Sequence, residues 1–236
     1  MNAERWQKSR GVLVFIAIIA TVGGTCVRAG GQTGAAGPTT RPARRVDPMP
    51  IARTETIVIL RHGEKPADGL GQLTPQGLNR ALALCEVLPK KFGNPDYLFV
   101  PDPREKTRDH AGLFNYVRPL ATIEPLAISL GLPVQTPCGF RDIEELNQEL
   151  FRPEYQGATI FVVWEHVYAY KAAQALLQQC HADLTKFPSA WAGGDYDSLY
   201  VIRIRHQIGH VPEASFTLDH EGLDGQSTTM PAPAPK

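Results

Sequence analysis

Two histidines in this sequence each stand where an apolar run stops. His62 follows "TIVIL" with Arg61 directly before it, and His166 follows "ATIFVVW" with Glu165 directly before it. An imidazole is a nucleophile and proton carrier near neutral pH, and a guanidinium matches an oxyanion through two parallel hydrogen bonds. A third cation, Arg118, precedes Pro119, a residue suited to the first turn of a helix. There it would add a fixed charge to backbone N–H groups and a helix dipole that already favour an anion. Brought to one place, Arg61, His62, Arg118 and His166 describe a site for a phosphoryl group.

The elements that must position them are legible as alternating strands and helices. Thr56–Leu60 and Ala158–Trp164 are continuous runs of β-branched and apolar residues, the pattern of strands covered on both faces. Tyr97–Val100 is a shorter run of the same kind, and Leu199–Arg205 half-alternates, as a strand near a sheet edge does. Thr74 and Pro75 can open a helix in which Leu78, Ala81, Leu82, Cys85 and Leu88 form the apolar stripe, ending before Pro89. A shorter helix is predicted over Arg141–Phe151, and another from His166 with Tyr170, Ala173, Leu177 and Cys180 on its buried face. The alternation predicts an α/β domain with a mainly parallel central sheet flanked by helices on both faces. Ligands of such sheets bind beyond the carboxyl ends of the strands, where His62 and His166 stand. The stretches 102–116 and 137–155 are expected to form the roof.

The first 29 residues read differently. Arg5, Lys8 and Arg10 precede an uncharged apolar run at 11–24, shorter than the ~20 residues that span a bilayer. Small or apolar residues follow at Val27 and Ala29, so 1–29 are expected to be a signal peptide and the protein exported, periplasmic or secreted. The alternative is an uncleaved anchor at 11–24. Residues 30–52, rich in Gly, Pro, Thr and Arg, are read as a disordered tether, 53–223 as the catalytic domain and 224–236 as a disordered tail. The chain has 24 basic and 24 acidic residues; cleavage after Ala29 removes four Lys/Arg and one Glu, leaving a net charge near −3. No field attracts nucleic acid, and no basic patch is interleaved with aromatics. Cys85, Cys138 and Cys180 would remain, an odd count that allows one disulfide at most.

"RHGE" after an apolar strand, "LTPQGLNRA" opening the next helix, "RPLATIEPLA", and a strand running into "EH" appear in that order. Together they resemble the histidine phosphatase superfamily, which includes the phosphoglycerate mutase-like proteins. The resemblance covers about Thr56 to Ile204. It implies that His62 is the nucleophile of a metal-independent phosphomonoester hydrolase, forming a phosphohistidine that water cleaves. It further implies that Arg61, Arg118 and His166 bind the phosphoryl group, with no cofactor. Gly63 would let backbone and ligand approach. The substrate would be a small phosphorylated molecule or a phosphoprotein. Alternatives on the same residues are a phosphoglycerate-mutase-like phosphotransferase and a non-catalytic phosphate-binding exported domain.

Three features depart from the usual pattern: Val117 before Arg118 in place of a serine-led approach, a long stretch between the second strand and Arg118, and Glu165 where a small residue is common. Glu165, whose pKa burial would raise, is the expected general acid, with Glu64, Asp142, Glu144 and Glu145 as rivals. A good leaving group, as in a phosphohistidine or an anhydride, would need no acid. "RHQIGH" carries His206 and His210 at a spacing that could hold a metal, with His220 nearby; as the chain leaves a strand there, all three are read as surface residues.

Overall fold

The computed structural model describes residues 52–232. The expected signal peptide, most of the tether and the last four residues lie outside the described residues. In chain order the elements are β1 (Arg53–Arg61), α1 (Pro75–Phe92), β2 (Tyr97–Phe99), β3 (Lys106–Asp109), β4 (Gly112–Asn115), α2 (Arg118–Leu130), β5 (Val134–Gln135), α3 (Ile143–Leu150), β6 (Thr159–Trp164), α4 (His166–Gln179), β7 (Ser198–His206) and β8 (Glu213–His220). Six strands form the central sheet in the order β5-β2-β6-β1-β7-β8; β3 and β4 form a separate hairpin. Pairings from β5 through β1 are parallel, and β7 and β8 add on antiparallel. The sheet is thus mainly parallel, with helices on both faces, as the alternation predicts.

Alternate residues of the central strands serve opposite faces. Val58, Leu60, Phe161 and Val163 pack with Leu84 and Leu88 of α1 and Ile123 and Leu126 of α2. Ile57, Ile59, Ile160, Val162 and Trp164 pack with Leu146 and Leu150 of α3 and Ala169, Ala173, Leu176 and Leu177 of α4. Each such leucine or isoleucine contributes about 1.5–3 kcal/mol relative to an exposed one. Burial on both faces is why β1 and β6 read as unbroken apolar runs.

The structure departs from the sequence expectations in instructive places. α1 passes through Pro89 to Phe92, and its buried stripe is Gly77, Arg80, Ala81, Leu84 and Leu88, with Leu82 exposed. Its phase is rotated because Arg80, fully buried, lies on the inner face. Its guanidinium is held by Glu64 (2.8 Å), Glu221 (2.5 Å) and Asp224 (3.1 Å), with Asp197 at 3.7 Å. A charged residue on the buried face is invisible to an apolar count. In α4 the buried residues are Ala169, Ala172, Ala173, Leu176 and Leu177, while Tyr170 sits at the margin. β7 is one strand in from the edge, which β8 occupies. Residues 224–232, read above as a tail, lie against α1: Asn79 Nδ2 donates to the carbonyls of Ser227 and Thr229 at 2.8 Å each. The three cysteines in the described residues are free, Cys138 and Cys180 buried and Cys85 half-buried.

His206 corrects the surface reading of that histidine. It is buried at the end of β7, with Nε2 2.9 Å from Oε2 of Glu55, which is fully buried. The pairing follows from register, since β1 and β7 set Arg53 opposite His206 and Glu55 opposite Ile204. Burial pushes the Glu55 carboxyl up to about 8 and the His206 imidazole down. The folded chain therefore holds the Glu55 proton more tightly than the unfolded chain does. The stability this contributes is full below the ordinary carboxyl value of 4.5 and lost as pH rises toward about 8. Glu221, also pushed up to about 8 by burial, acts in the same direction. Urea unfolding at pH 5 and pH 8 is expected to show less loss of stability in Glu55→Gln than in the wild type, by on the order of 2 kcal/mol. An unchanged pH dependence would show that Glu55 titrates alike in both states.

Candidate active site

The register of β1 against β6 places Arg61 opposite Trp164, so two neighbouring parallel strands leave the sheet at the same level. The His62 N–H still donates to the Trp164 carbonyl at 3.2 Å, and Glu165 and His166 begin α4 beside it. α2 opens at Arg118 with Pro119 in its first turn. Thr122, one turn along, ties this helix to the histidine loop. Its Oγ1 accepts from the Gly63 N–H at 2.9 Å and donates to the Arg118 carbonyl at 2.8 Å, all buried. Gly63 is required for a reason beyond ligand approach. A Cβ there would lie 2.8 Å from the carbonyl oxygen of Gly77, and one on Gly77 2.5 Å from that of Glu64, so the loop packs backbone to backbone on the start of α1.

All five expected site residues, Arg61, His62, Arg118, Glu165 and His166, line one cavity of about 340 Å³. Thr107, Arg108 and Asp109 of β3 and Phe140 and Arg141 come from the two stretches expected to form the roof. The rival acids are elsewhere. Glu64 is bound to Arg80, while Asp142, Glu144 and Glu145 line a separate surface depression.

The imidazole of His62 is 2% exposed and its Nδ1 lies 2.7 Å from the Gly63 carbonyl oxygen. A carbonyl only accepts, so this bond puts the proton on Nδ1 and leaves Nε2 with its lone pair. Burial holds the His62 pKa well below the ordinary imidazole value of 6.5, and the charges of Arg118, Arg61 and Lys65 add to it against the Gly63 bond. The ring is neutral at neutral pH.

The two arginines are held differently. Arg61 Nη1 donates to the carbonyls of Gly193 (2.7 Å) and Asp195 (2.9 Å), and its guanidinium lies 3.8 Å over the Tyr196 ring. Neutral partners fix its direction and leave its charge unspent. Arg118 instead pairs with a carboxylate, Asp109, at 2.7 Å. Asp109 stays below its ordinary range because the Arg118 bond and charge, the Gly71 N–H and Lys65 outweigh burial.

Glu165 does not behave as expected. Burial pushes its pKa up, but His166 and the N–H groups of Tyr168 and Val167 outweigh that, leaving it below the ordinary carboxyl value. It is the N-cap of α4, with Oε2 accepting from Val167 (2.9 Å) and Tyr168 (3.1 Å). Oε1 lies 2.5 Å from Nδ1 of His166, a close contact without the alignment of a hydrogen bond. It is a carboxylate that caps a helix and faces an imidazole, not a stored proton.

Asp109, Arg108 and Tyr116 lie in the expected roof but are not singled out by the sequence, and Lys65 is not anticipated at the site. The ring of Tyr116 lies edge-on to His62 with centroids 5.9 Å apart, and its hydroxyl is buried without a partner. The usable signal is the turn His110–Ala111 between the polar strand β3 and the short β4, where Leu113 and Phe114 are adjacent and so give no alternating apolar face. Among the described residues, no group of three or more His, Cys, Asp or Glu is placed to hold a metal ion, and no helix is long and apolar enough to cross a membrane.

No family model matches the chain, and no curated protein matches it in sequence. Among solved structures it is similar to mycobacterial hydrolase 2, at 16% identity over 70% of this chain and 89% of that one, with a TM-score of 0.49. It is also similar to a candidate phosphohistidine phosphatase, SixA, from Nakamurella multipartitia, at 18% identity over 71% and 96% of the two chains, with a TM-score of 0.48. A third is the mycobacterial glucosyl-3-phosphoglycerate phosphatase Rv2419c in complex with inorganic phosphate, at 17% identity over 69% and 95%, with a TM-score of 0.44.

Thr122→Val is nearly isosteric but leaves the buried Gly63 N–H without its acceptor. It is expected to lower stability to urea by about 1–3 kcal/mol, with Thr122→Ser, which keeps the hydroxyl, recovering most of that loss. A valine variant as stable as the wild type would show that this bond does not hold the histidine loop to α2.

Proposed function

We propose that this chain is a phosphomonoester hydrolase of the histidine phosphatase type, acting through a phosphohistidine on His62. The observation that carries the reading is the His62 Nδ1 bond to Gly63 in a cavity shared with Arg61, Arg118 and His166. A neutral imidazole with Nε2 bare is the form that attacks phosphorus. As Nε2 bonds to phosphorus, the bond to the leaving oxygen breaks and that oxygen departs with the electron pair. Arg61, Arg118 and His166 bind the phosphoryl oxygens and stabilise their charge, the part metal ions play in many other phosphoryl transfers. Water then attacks the phosphohistidine, releasing phosphate and restoring the imidazole.

Glu165 is ill suited to protonate the leaving oxygen, since the groups around it favour the carboxylate. Asp109 is also held ionised. Among monoesters this favours those whose leaving group departs without a strong acid, as an aryl oxygen does; beyond monoesters it favours an anhydride or a phosphohistidine, whose leaving atom is nitrogen. The same observation favours, as a second reading, a phosphate-binding domain without turnover. Export, with residues 1–29 as a signal peptide or 11–24 as an anchor, is part of the proposal and rests on the sequence alone.

Hydrolysis of p-nitrophenyl phosphate by the full chain, with EDTA present, tests the reading. Its leaving group needs little protonation, so wild-type turnover is expected, and His62→Ala should lose about 10³-fold or more. The acid limb of kcat/KM should fall below the ordinary imidazole range, because His62 resists protonation. Comparable turnover in His62→Ala would remove the histidine nucleophile. Phosphate binding with no turnover at any pH would leave the binding-domain reading.

A further inference from the structure

The carboxylate of Asp109 has no part in the reaction above, yet it holds the guanidinium which that reaction needs. Oδ2 accepts from Arg118 Nη1 at 2.7 Å and Oδ1 from Nη2 at 3.3 Å, the two-pronged geometry that a phosphate would use. The two side chains are 3% and 4% exposed. The loop beside them is shaped around the carboxylate. Gly71 N–H donates to Oδ2 at 2.9 Å, and the backbone runs through three successive left-handed residues, Gly69, Leu70 and Gly71, with φ of 81°, 52° and 67°. That conformation is unfavourable for leucine. A Cβ on Gly69 would lie 2.1 Å from Asp109 Cγ.

The element that carries Asp109 is lightly anchored. Hairpin β3–β4 pairs only with itself, and none of residues 106–115 belongs to either apolar core. Its hydrogen bonds to the body are those of Asp109 and that of the Ala111 N–H to the Asp68 carbonyl at 3.4 Å, with Phe114 and Asn115 packed close on Gly71. Such segments open at low free-energy cost. The closed arrangement also leaves Arg61 Nε, Arg118 Nε and the Tyr116 hydroxyl sealed from water without partners. Buried polar groups are rarely left so. A phosphoryl group would bring more acceptor oxygens and more charge to this place than a carboxylate does.

We propose that Asp109 is an internal competitor for the phosphoryl group: a substrate takes Arg118 from Asp109, and hairpin β3–β4 is released as it does so. The inference rests on the phosphoryl-binding role given to Arg118 above. Asp109 then sets the affinity for phosphate, and by reclaiming Arg118 after turnover it hastens release of the product. Lys65 Nζ, 4.0 Å from Asp109 Oδ1, offers the displaced carboxylate a second cation.

Calorimetric titration of inorganic phosphate into the full chain reads the competition, in the wild type and in Asp109→Asn. The variant is expected to bind phosphate about tenfold tighter or more, having lost a like charge at the site. Hydrogen exchange of residues 106–115 in the wild type reads the release, and saturating phosphate is expected to speed it. Phosphate bound by the wild type but equally or less tightly by Asp109→Asn overturns the competition and leaves the phosphatase reading standing. Hairpin exchange that is unchanged or slowed by phosphate overturns the release. Phosphate bound by neither protein, with p-nitrophenyl phosphate untouched, overturns both readings. Should Asp109→Asn fail to fold, the wild-type exchange decides alone.

Discussion

The in-register parallel pairing of β1 with β6 is the constraint on which the cavity depends. Six residue pairs, from Thr56 with Thr159 to Arg61 with Trp164, fix the level at which both strands end. A slip of one residue would turn every side chain of a strand to the opposite face. Ile57 and Ile59 face α3 and α4 while Val58 and Leu60 face α1 and α2, so that slip would also exchange the contents of two cores. The apolar cores thereby hold His62 beside the start of α4. Thr122 extends the constraint to α2, bonding the His62 loop and the Arg118 carbonyl through one hydroxyl. Histidine loop, second histidine and helix-start arginine are thus positioned by packing remote from any ligand.

Within that frame the charges are balanced unevenly. Arg61 is directed by carbonyl oxygens and stacked on Tyr196, which orient a guanidinium without neutralising it. Arg118 is neutralised by Asp109, and Glu165 faces His166. An anion entering this cavity thus meets one guanidinium bonded only to carbonyls and one already paired with a carboxylate. Two available guanidiniums so near a buried neutral imidazole would bind an anion more tightly and release it more slowly. The uneven balance suits a site that must empty as well as fill.

Much of this is legible in the sequence itself. The central strands and the α/β class followed from unbroken β-branched runs alternating with amphipathic stretches, because strands covered on both faces leave no polar position to confuse the count. The gathering of Arg61, His62, Arg118, Glu165 and His166 followed from their places at strand and helix ends. What stayed hidden was polar. Arg80 rotated the predicted face of α1 because a buried arginine surrounded by carboxylates counts against burial in any apolar periodicity. His206 was placed at the surface because its partner, Glu55, lies 151 positions away in sequence. Hairpin β3–β4 falls inside the expected roof, but it has no continuous apolar face, and the pairing of its Asp109 with Arg118 is not visible in the sequence.

The behaviour of Glu165 follows from the same physics. A carboxyl placed after an apolar strand was expected to lose its charge to desolvation, and desolvation does act on it. The position that buries it is also the N-cap of α4, where two backbone N–H groups and the helix dipole favour a negative charge. His166, one residue on, adds a third favourable partner. Where this strand runs into a helix through a single residue, burial and capping fall on the same side chain, and here His166 chiefly, with the two capping N–H groups, outweighs burial. The effect of Glu165 is to face His166 with a carboxylate instead of storing a proton. On the proposed reading, phosphoryl transfer at this site depends on how well the two guanidiniums hold the phosphoryl group and on how readily its leaving group departs.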